Sequence, residues 1–284
     1  SPDERRKFEW ELGGPVAISG DDSRLLVATS GGFSAFELDA LRRGSLVPAG
    51  GWSVTGNVID PADFELSSNG TSMFVVGSDG FVRVVDLTRL VESAAPIPYA
   101  PTDLHRSYRT RRTYATLNPD NRYLIVNGGS ANPGQINVID LWTHTSRLMS
   151  VPGLQESWDV KFNWAPGLEN LLAINGRDRL LVVRFDGITD AQLVASSDLP
   201  TISDVGYREG LDQWRPGAIA WSQDGQRLFS SIGGRGTGKE WRAFDVNVSA
   251  GTMTSVFDFD SCTWVGRNPS SREQPILDSR TTEP

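Results

Sequence analysis

The 284-residue sequence predicts an all-β fold, a β-propeller of five four-stranded blades, and three observations carry that expectation. A polar turn flanked by apolar strands occurs five times along the chain. Between these turns lie short strand-like runs bounded by Gly, Asn, Asp and Ser, with no long stretch of helical periodicity. The mean step from turn to turn is close to 51 residues, room for four strands and their connections, which is the content of one blade.

The turns come first in the argument because they fix the register. Four of them, at 18–25, 66–73, 117–124 and 221–228, align without a gap, with Ser19, Ser67, Asn118 and Ser222 at the same place. The fifth, at 162–171, is two residues longer and puts Asn163 at that place. Ser and Asn side chains cap such turns, while Asp, Asn and Gly accept left-handed backbone angles. The apolar runs before the turns predict first strands at 15–18, 63–66, 114–117, 159–162 and 218–221. Those after them predict second strands at 25–28, 73–77, 124–127, 171–174 and 228–231. Third strands end in related words at 35–38, 84–87, 138–141, 182–185 and 243–246. Fourth strands are expected at 45–47, 97–99, 147–151, 192–195 and 253–259.

Five such units place the propeller at 13–262. The segment 1–12 contains Lys7-Phe8-Glu9-Trp10-Glu11-Leu12, which alternates polar and apolar residues. It is expected to pair with the last blade as a ring-closing strand and remove an exposed edge. Residues 263–284 are polar and proline-bearing and are expected to form an extended tail.

The Ser-x-Asp-Gly word of Ser222-Gln223-Asp224-Gly225, followed by an apolar strand, resembles the PD40 and WD40-like propeller repeats. The run Gln135-Ile136-Asn137-Val138-Ile139-Asp140-Leu141-Trp142-Thr143-His144-Thr145 resembles the YVTN-type repeat of lactonase-like and surface propellers. The resemblance spans about residues 13–260. It implies the propeller fold and leaves function open, since propellers host enzymes, lectins and scaffolds alike.

Composition narrows the chemistry. The single cysteine, Cys262, excludes an internal disulfide and any metal centre built on several thiolates. Its acidic neighbours Asp258 and Asp260 would raise its thiol pKa. Two histidines, His105 and His144, leave little for histidine-rich metal chemistry, and no cofactor is expected. Gly233-Gly234-Arg235-Gly236-Thr237-Gly238-Lys239 has phosphate-loop spacing, but Glu240 stands where a Ser or Thr is needed and a strand follows. No apolar run is long enough to cross a bilayer. Of 27 basic residues 24 are Arg, a bias that points to a GC-rich bacterial genome. The polar opening, 1–7, fits either a cytosolic chain or a processed extracytoplasmic one.

Two candidate sites remain. Aligning the first strands puts Glu65 beside Lys161 in one column, and Asp63 beside Asp159 two residues earlier. Asp63, Glu65 and Asp159 are therefore the candidate catalytic residues of a glycosidase- or lactonase-like channel site. An inverting pair of that kind stands about 6.5–9.5 Å apart. The competing expectation is that Glu65 pairs with Lys161 across the channel. Trp52 and Trp214, in connecting segments, are candidates for stacking a sugar in a carbohydrate-binding propeller. Trp158, Trp164, Trp221 and Trp241 read as packing between blades.

The second site is a partner-binding run in the long connection 88–113, where Arg106, Tyr108, Arg109, Arg111 and Arg112 cluster after three prolines on a chain of net charge −8. Arg binds carboxylates and phosphates in bidentate fashion, and Tyr is enriched at interfaces. Such a run suits an acidic face of another protein subunit or an anionic membrane surface, and the acidic remainder disfavours nucleic acid. The main expectation is a non-catalytic interaction module, an accessory or scaffold subunit of a larger bacterial assembly.

Overall fold

The computed structural model describes residues 16–29, 32–53, 61–77, 79–100, 114–127, 132–155, 160–167, 170–176, 179–187, 190–199, 218–232 and 240–259. They form five antiparallel sheets in chain order. Blade 1 is β1 (Val16–Ile18), β2 (Arg24–Thr29), β3 (Gly32–Glu37) and β4 (Gly50–Ser53). Blade 2 is β5 (Pro61–Leu66), β6 (Ser72–Gly77), β7 (Phe81–Asp86) and a fourth strand in two pieces, β8 (Val91–Glu92) and β9 (Ile97–Pro98), both paired with β7. Blade 3 is β10 (Ala115–Leu117), β11 (Tyr123–Asn127), β12 (Gln135–Asp140) and β13 (Thr145–Ser150). Blade 4 is β14 (Lys161–Trp164), β15 (Leu171–Asn175), β16 (Arg179–Asp186) and β17 (Asp190–Asp198). Blade 5 is β18 (Ile219–Trp221), β19 (Arg227–Ile232), β20 (Glu240–Asn247) and β21 (Thr252–Phe259). The fold is a five-bladed β-propeller.

The repeated turn is built as its residues dictate. Asp22, Gly70, Asn121 and Gly225 have positive φ, from 53° to 68°, and each N–H donates to the carbonyl three residues back. The side chains of Ser19, Ser67, Asn118 and Ser222 accept the N–H five residues on. The carboxamide or carboxylate between them accepts from both sides: Asp21 Oδ1 takes the Ser19 and Ser23 hydroxyls, and Asn69 Oδ1 takes those of Ser67 and Thr71. At three blades an Arg at the start of the second strand or just before it closes an ion pair with a carboxylate at or near the end of the third: Arg24–Glu37, Arg122–Asp140 and Arg227–Asp245. Adjacent turns touch, with the Ser68 N–H donating to Asn121 Oδ1 at 2.7 Å. The turns of blades 2 and 3 therefore lie on the same rim.

Because consecutive strands alternate in direction, the connections from second to third strand and from blade to blade all join on the opposite rim. Between blades the core is apolar. One cluster joins Leu26 and Phe33 of blade 1 to Met73 and Val85 of blade 2, and others join blades 2 and 3, 3 and 4, and 4 and 5.

The structure corrects three local expectations. In blade 1 the chain leaves β3 into a short helix, α1 (Leu38–Arg42), so the fourth strand is Gly50–Ser53 and 45–47 is connecting chain. Trp52 consequently sits on β4, against Phe33 at 6.1 Å between ring centroids, packing blade 1 rather than waiting in a loop. In blade 4 the turn after Trp164 is longer by one residue, not two. The Ala165 N–H donates to the Leu171 carbonyl at 2.9 Å, as the Ser19 N–H does to Arg24. Ala165, not Asn163, is the counterpart of Ser19, because Trp164 must end its strand to cover the core between blades 3 and 4. The expected ring-closing strand within 1–12, the tail 263–284 and Cys262 lie outside the described residues.

Candidate functional site at the inner strands

The innermost strands of blades 2, 3 and 4 carry the polar cluster nearest the propeller axis. Alternation on β5 sends Phe64 and Leu66 into the core shared with blade 1, so Asp63 and Glu65 face blade 3. On β10 the pairing with β11 engages the amides of even-numbered residues: Asn118 N–H donates to Tyr123, and the Tyr114 carbonyl accepts from Asn127. The N–H groups of Ala115 and Leu117 therefore point away from their own sheet. Asp63 Oδ2 accepts the first at 2.9 Å, and Glu65 accepts the second. Asp63 Oδ1 also accepts its neighbouring Phe64 N–H at 3.0 Å.

These contacts set the electrostatics. Burial, and then the Asp63 charge beside it, push the Glu65 carboxyl up from 4.5 to about 8, against the opposing pull of the Leu117 N–H. Glu65 therefore holds its proton at neutral pH. The corrected register moves Lys161 three residues before the end of its strand, level with Asp63 and Tyr114 rather than with Glu65. Its Nζ lies 3.0 Å from the centre of the Tyr114 ring. The expected Glu65–Lys161 pair is thus replaced by a cation–π contact one step along. The Tyr114 N–H donates to Asn127 Oδ1, and Asn127 is buried.

Chemically the cluster offers a proton on Glu65, a hydrogen-bonded carboxylate on Asp63 and an ammonium on Lys161. Among the described residues no group of three or more His, Cys, Asp or Glu side chains is placed to hold a metal. Asp159 lies outside the described residues, as do Arg106, Tyr108, Arg109, Arg111 and Arg112, Trp214 and the Gly-rich 233–239 run. His144 is an exposed turn residue with φ of 55°.

Two features escaped sequence reasoning. Asn137, fully buried, clamps Ala100 from both sides, accepting its N–H and donating to its carbonyl, each at 3.2 Å. Trp142 is 69% exposed and stacks on Arg122, whose guanidinium lies 5.0 Å from it and 4.9 Å from Tyr123. The same guanidinium holds Asp140: burial alone would raise that carboxyl, but the hydrogen bonds from Arg122 and the Thr143 and Trp142 amides bring it below its ordinary value. The Val-Ile-Asp-Leu-Trp word carried the sequence signal for Asp140. Nothing in the sequence signalled the stacking partner.

Against known proteins, no family model matches the chain, and no curated protein matches it. Among solved structures it is similar to a Bacteroides fragilis protein provisionally described as a 6-phosphogluconolactonase. The likeness has a TM-score of 0.60 at 16% identity and covers 86% of this chain and 70% of that one. At that identity the likeness is one of fold.

Proposed function

We propose that this propeller is a non-catalytic interaction module, an accessory subunit of the WD40-like and YVTN-type repeat kind that docks an acidic protein surface through its loop-bearing rim. The observation that carries the reading is the engagement of the inner carboxylates. Asp63 takes the Ala115 N–H and Glu65 the Leu117 N–H, so both serve as hydrogen-bonded clamps between blades 2 and 3. The basic run from Arg106 to Arg112 supports the docking role. It lies in the chain between β9 and β10, whose facing ends open on that rim.

The test is co-purification from the native source with tagged full-length chain. Replacing Arg109, Arg111 and Arg112 by Ser should reduce partner recovery, leave the melting temperature unchanged, and mimic the effect of added salt on the wild type. Equal recovery by the triple variant across the salt range would overturn the docking site. Recovery on anionic vesicles alone would replace the protein partner by a membrane.

A second reading is favoured by one specific observation, the proton that Glu65 keeps to about pH 8 beside Asp63. A carboxylic acid next to a carboxylate can protonate a leaving oxygen. The description given to the Bacteroides fragilis neighbour names a lactone-opening enzyme, which makes lactones and glycosides the substrates to try.

A further inference from the structure

The outermost strand of a blade leaves one backbone edge without a neighbour, and such an edge accepts a further strand unless it is blunted. Four of the five outer edges are blunted. In blade 1, β4 has only four residues, two of them Gly50 and Gly51. In blade 2 the outer strand is split into the two-residue β8 and β9, with Pro96 between them and Pro98 closing the second. In blades 4 and 5 a bulge interrupts the strand at the same place, and Val194 of β17 and Val256 of β21 are the extra residues. β13 of blade 3 has none of these features. All six of its residues, Thr145 to Ser150, pair with β12 in unbroken register.

That register fixes which backbone groups face outward. The Val151 N–H donates to the Gly134 carbonyl at 2.9 Å. Thr145, Arg147 and Met149 therefore turn their backbone groups toward β12, and Ser146, Leu148 and Ser150 turn theirs away. Among the described residues these outward N–H and C=O groups have no backbone partner. The two faces beside the edge differ in character. Ser146 and Leu148 lie on the face toward blade 2, where the Ser146 hydroxyl donates to the Pro98 carbonyl. Arg147 lies on the other face with Met149, which joins the core shared with blade 4. The Arg147 side chain is exposed and has no ion pair among the described residues.

We propose that β13 is a docking edge, to which an extended acidic segment of a partner protein adds as a fifth strand of blade 3. The proposal rests on the interaction-module reading and names the chemistry of the partner. Ser146, Leu148 and Ser150 supply the hydrogen-bonded positions. Arg147 falls in a non-hydrogen-bonded pair, where facing side chains stand closest. The partner therefore carries Asp or Glu opposite Arg147 and apolar residues on the face of Leu148. A second copy of the chain, paired across Leu148, would instead set two Arg147 side chains diagonally on one face with no carboxylate between them.

The test titrates the full-length chain with a synthetic eight-residue peptide of alternating Val and Glu, blocked at both ends. A Val/Lys peptide of the same design is the control, and binding and amide exchange are read together. The Val/Glu peptide should bind at least ten-fold more tightly than the control and protect the Ser146, Leu148 and Ser150 amides at least ten-fold. Leu148→Pro removes an N–H that β12 does not use, at an edge position where proline is tolerated. It should abolish binding and leave the melting temperature nearly unchanged. Arg147→Glu, which leaves the backbone intact, should reverse the preference between the two peptides. Replacing Arg109, Arg111 and Arg112 by Ser should leave peptide binding as in the wild type, so failure of the rim site and failure of the edge are read separately. No binding of the Val/Glu peptide, binding that survives Leu148→Pro, or a preference that Arg147→Glu does not alter would overturn the proposal. In the chain alone the three amides should exchange freely. Protection that grows with protein concentration would overturn the proposal in favour of a second copy, and protection independent of concentration in favour of a segment of the chain itself.

Discussion

Asp63 Oδ2 accepts the Ala115 N–H at 2.9 Å, a hydrogen bond that crosses from the first strand of blade 2 to the first strand of blade 3. The inner edge of a propeller blade has no further strand to pair with, so its outward N–H groups need other acceptors. Side chains of the neighbouring inner strand supply them here. Asp63→Ala removes the acceptor for Ala115 and Phe64 together and should destabilise the fold by about 1–3 kcal/mol. Asp63→Asn keeps a carbonyl oxygen and should cost less. Urea unfolding of the two variants, read at constant m-value, checks the order.

Glu65 makes stability depend on pH. Its folded pKa, about 8, lies above its ordinary 4.5, so between those values the folded state holds a proton that the unfolded state has released. Stability from this group is complete below about pH 4.5, falls as pH rises, and is lost above about pH 8. Glu65→Gln should flatten that decline and make the protein more stable than wild type above pH 8. Asp63→Asn should lower the Glu65 pKa by removing the neighbouring charge. Chemical denaturation from pH 4 to 9, with the Glu65 carboxyl followed by carbon-13 NMR, reads both effects.

The turn aspartates act in the opposite direction. Asp21 is brought down to about 2, first by the Ser19 hydroxyl and then by Ser23, and Asp224 is lowered chiefly by Ser222. Each favours the folded state above its ordinary value, and the benefit disappears as pH falls through the folded pKa. Asp21→Asn and Asp224→Asn together should therefore shrink the loss of stability on acidification below about pH 4. A melting series from pH 5 to 2 measures it.

Two glycines separate backbone strain from crowding. Gly70 and Gly167 both have left-handed φ, 66° and 67°. A Cβ on Gly167 would meet nothing within 4 Å, whereas one on Gly70 would run into the backbone of Gly20 in the neighbouring turn. Gly167→Ala should cost about 1–2 kcal/mol, the left-handed penalty alone. Gly70→Ala should cost clearly more, because two blade turns must move apart. Thermal unfolding of the pair decides the point.

Much of the architecture was legible because its determinants are local. The Ser-Gly-Asp-Asp and Ser-Gln-Asp-Gly words encode the turn hydrogen bonds directly, and the turns set the register of the strands on either side. The register error in blade 4 arose where the turn lengthens. Asn163 looked like the capping residue, but the demand that Trp164 cover the core between blades is a tertiary one. Blade 1's fourth strand moved for a similar reason, since α1 occupies the residues where the strand was expected. At the inner strands the alternation along β5 showed that Asp63 and Glu65 share a face. It did not show that Ala115 and Leu117 turn their amides toward them, because that depends on which residues of β10 bond to β11. Nor did it show Lys161 over Tyr114, a contact that follows only from the corrected register.

The central claim is that Asp63 and Glu65 clamp blades rather than turn over a substrate. The most direct measurement follows the full-length chain from pH 6 to 9 with two substrate panels, reading proton release at constant pH from sugar lactones and nitrophenol release from nitrophenyl glycosides. No release above buffer, for wild type and Glu65→Gln alike, is the predicted result. Turnover by the wild type that Glu65→Gln abolishes while the fold is retained would contradict it and make the channel an active site.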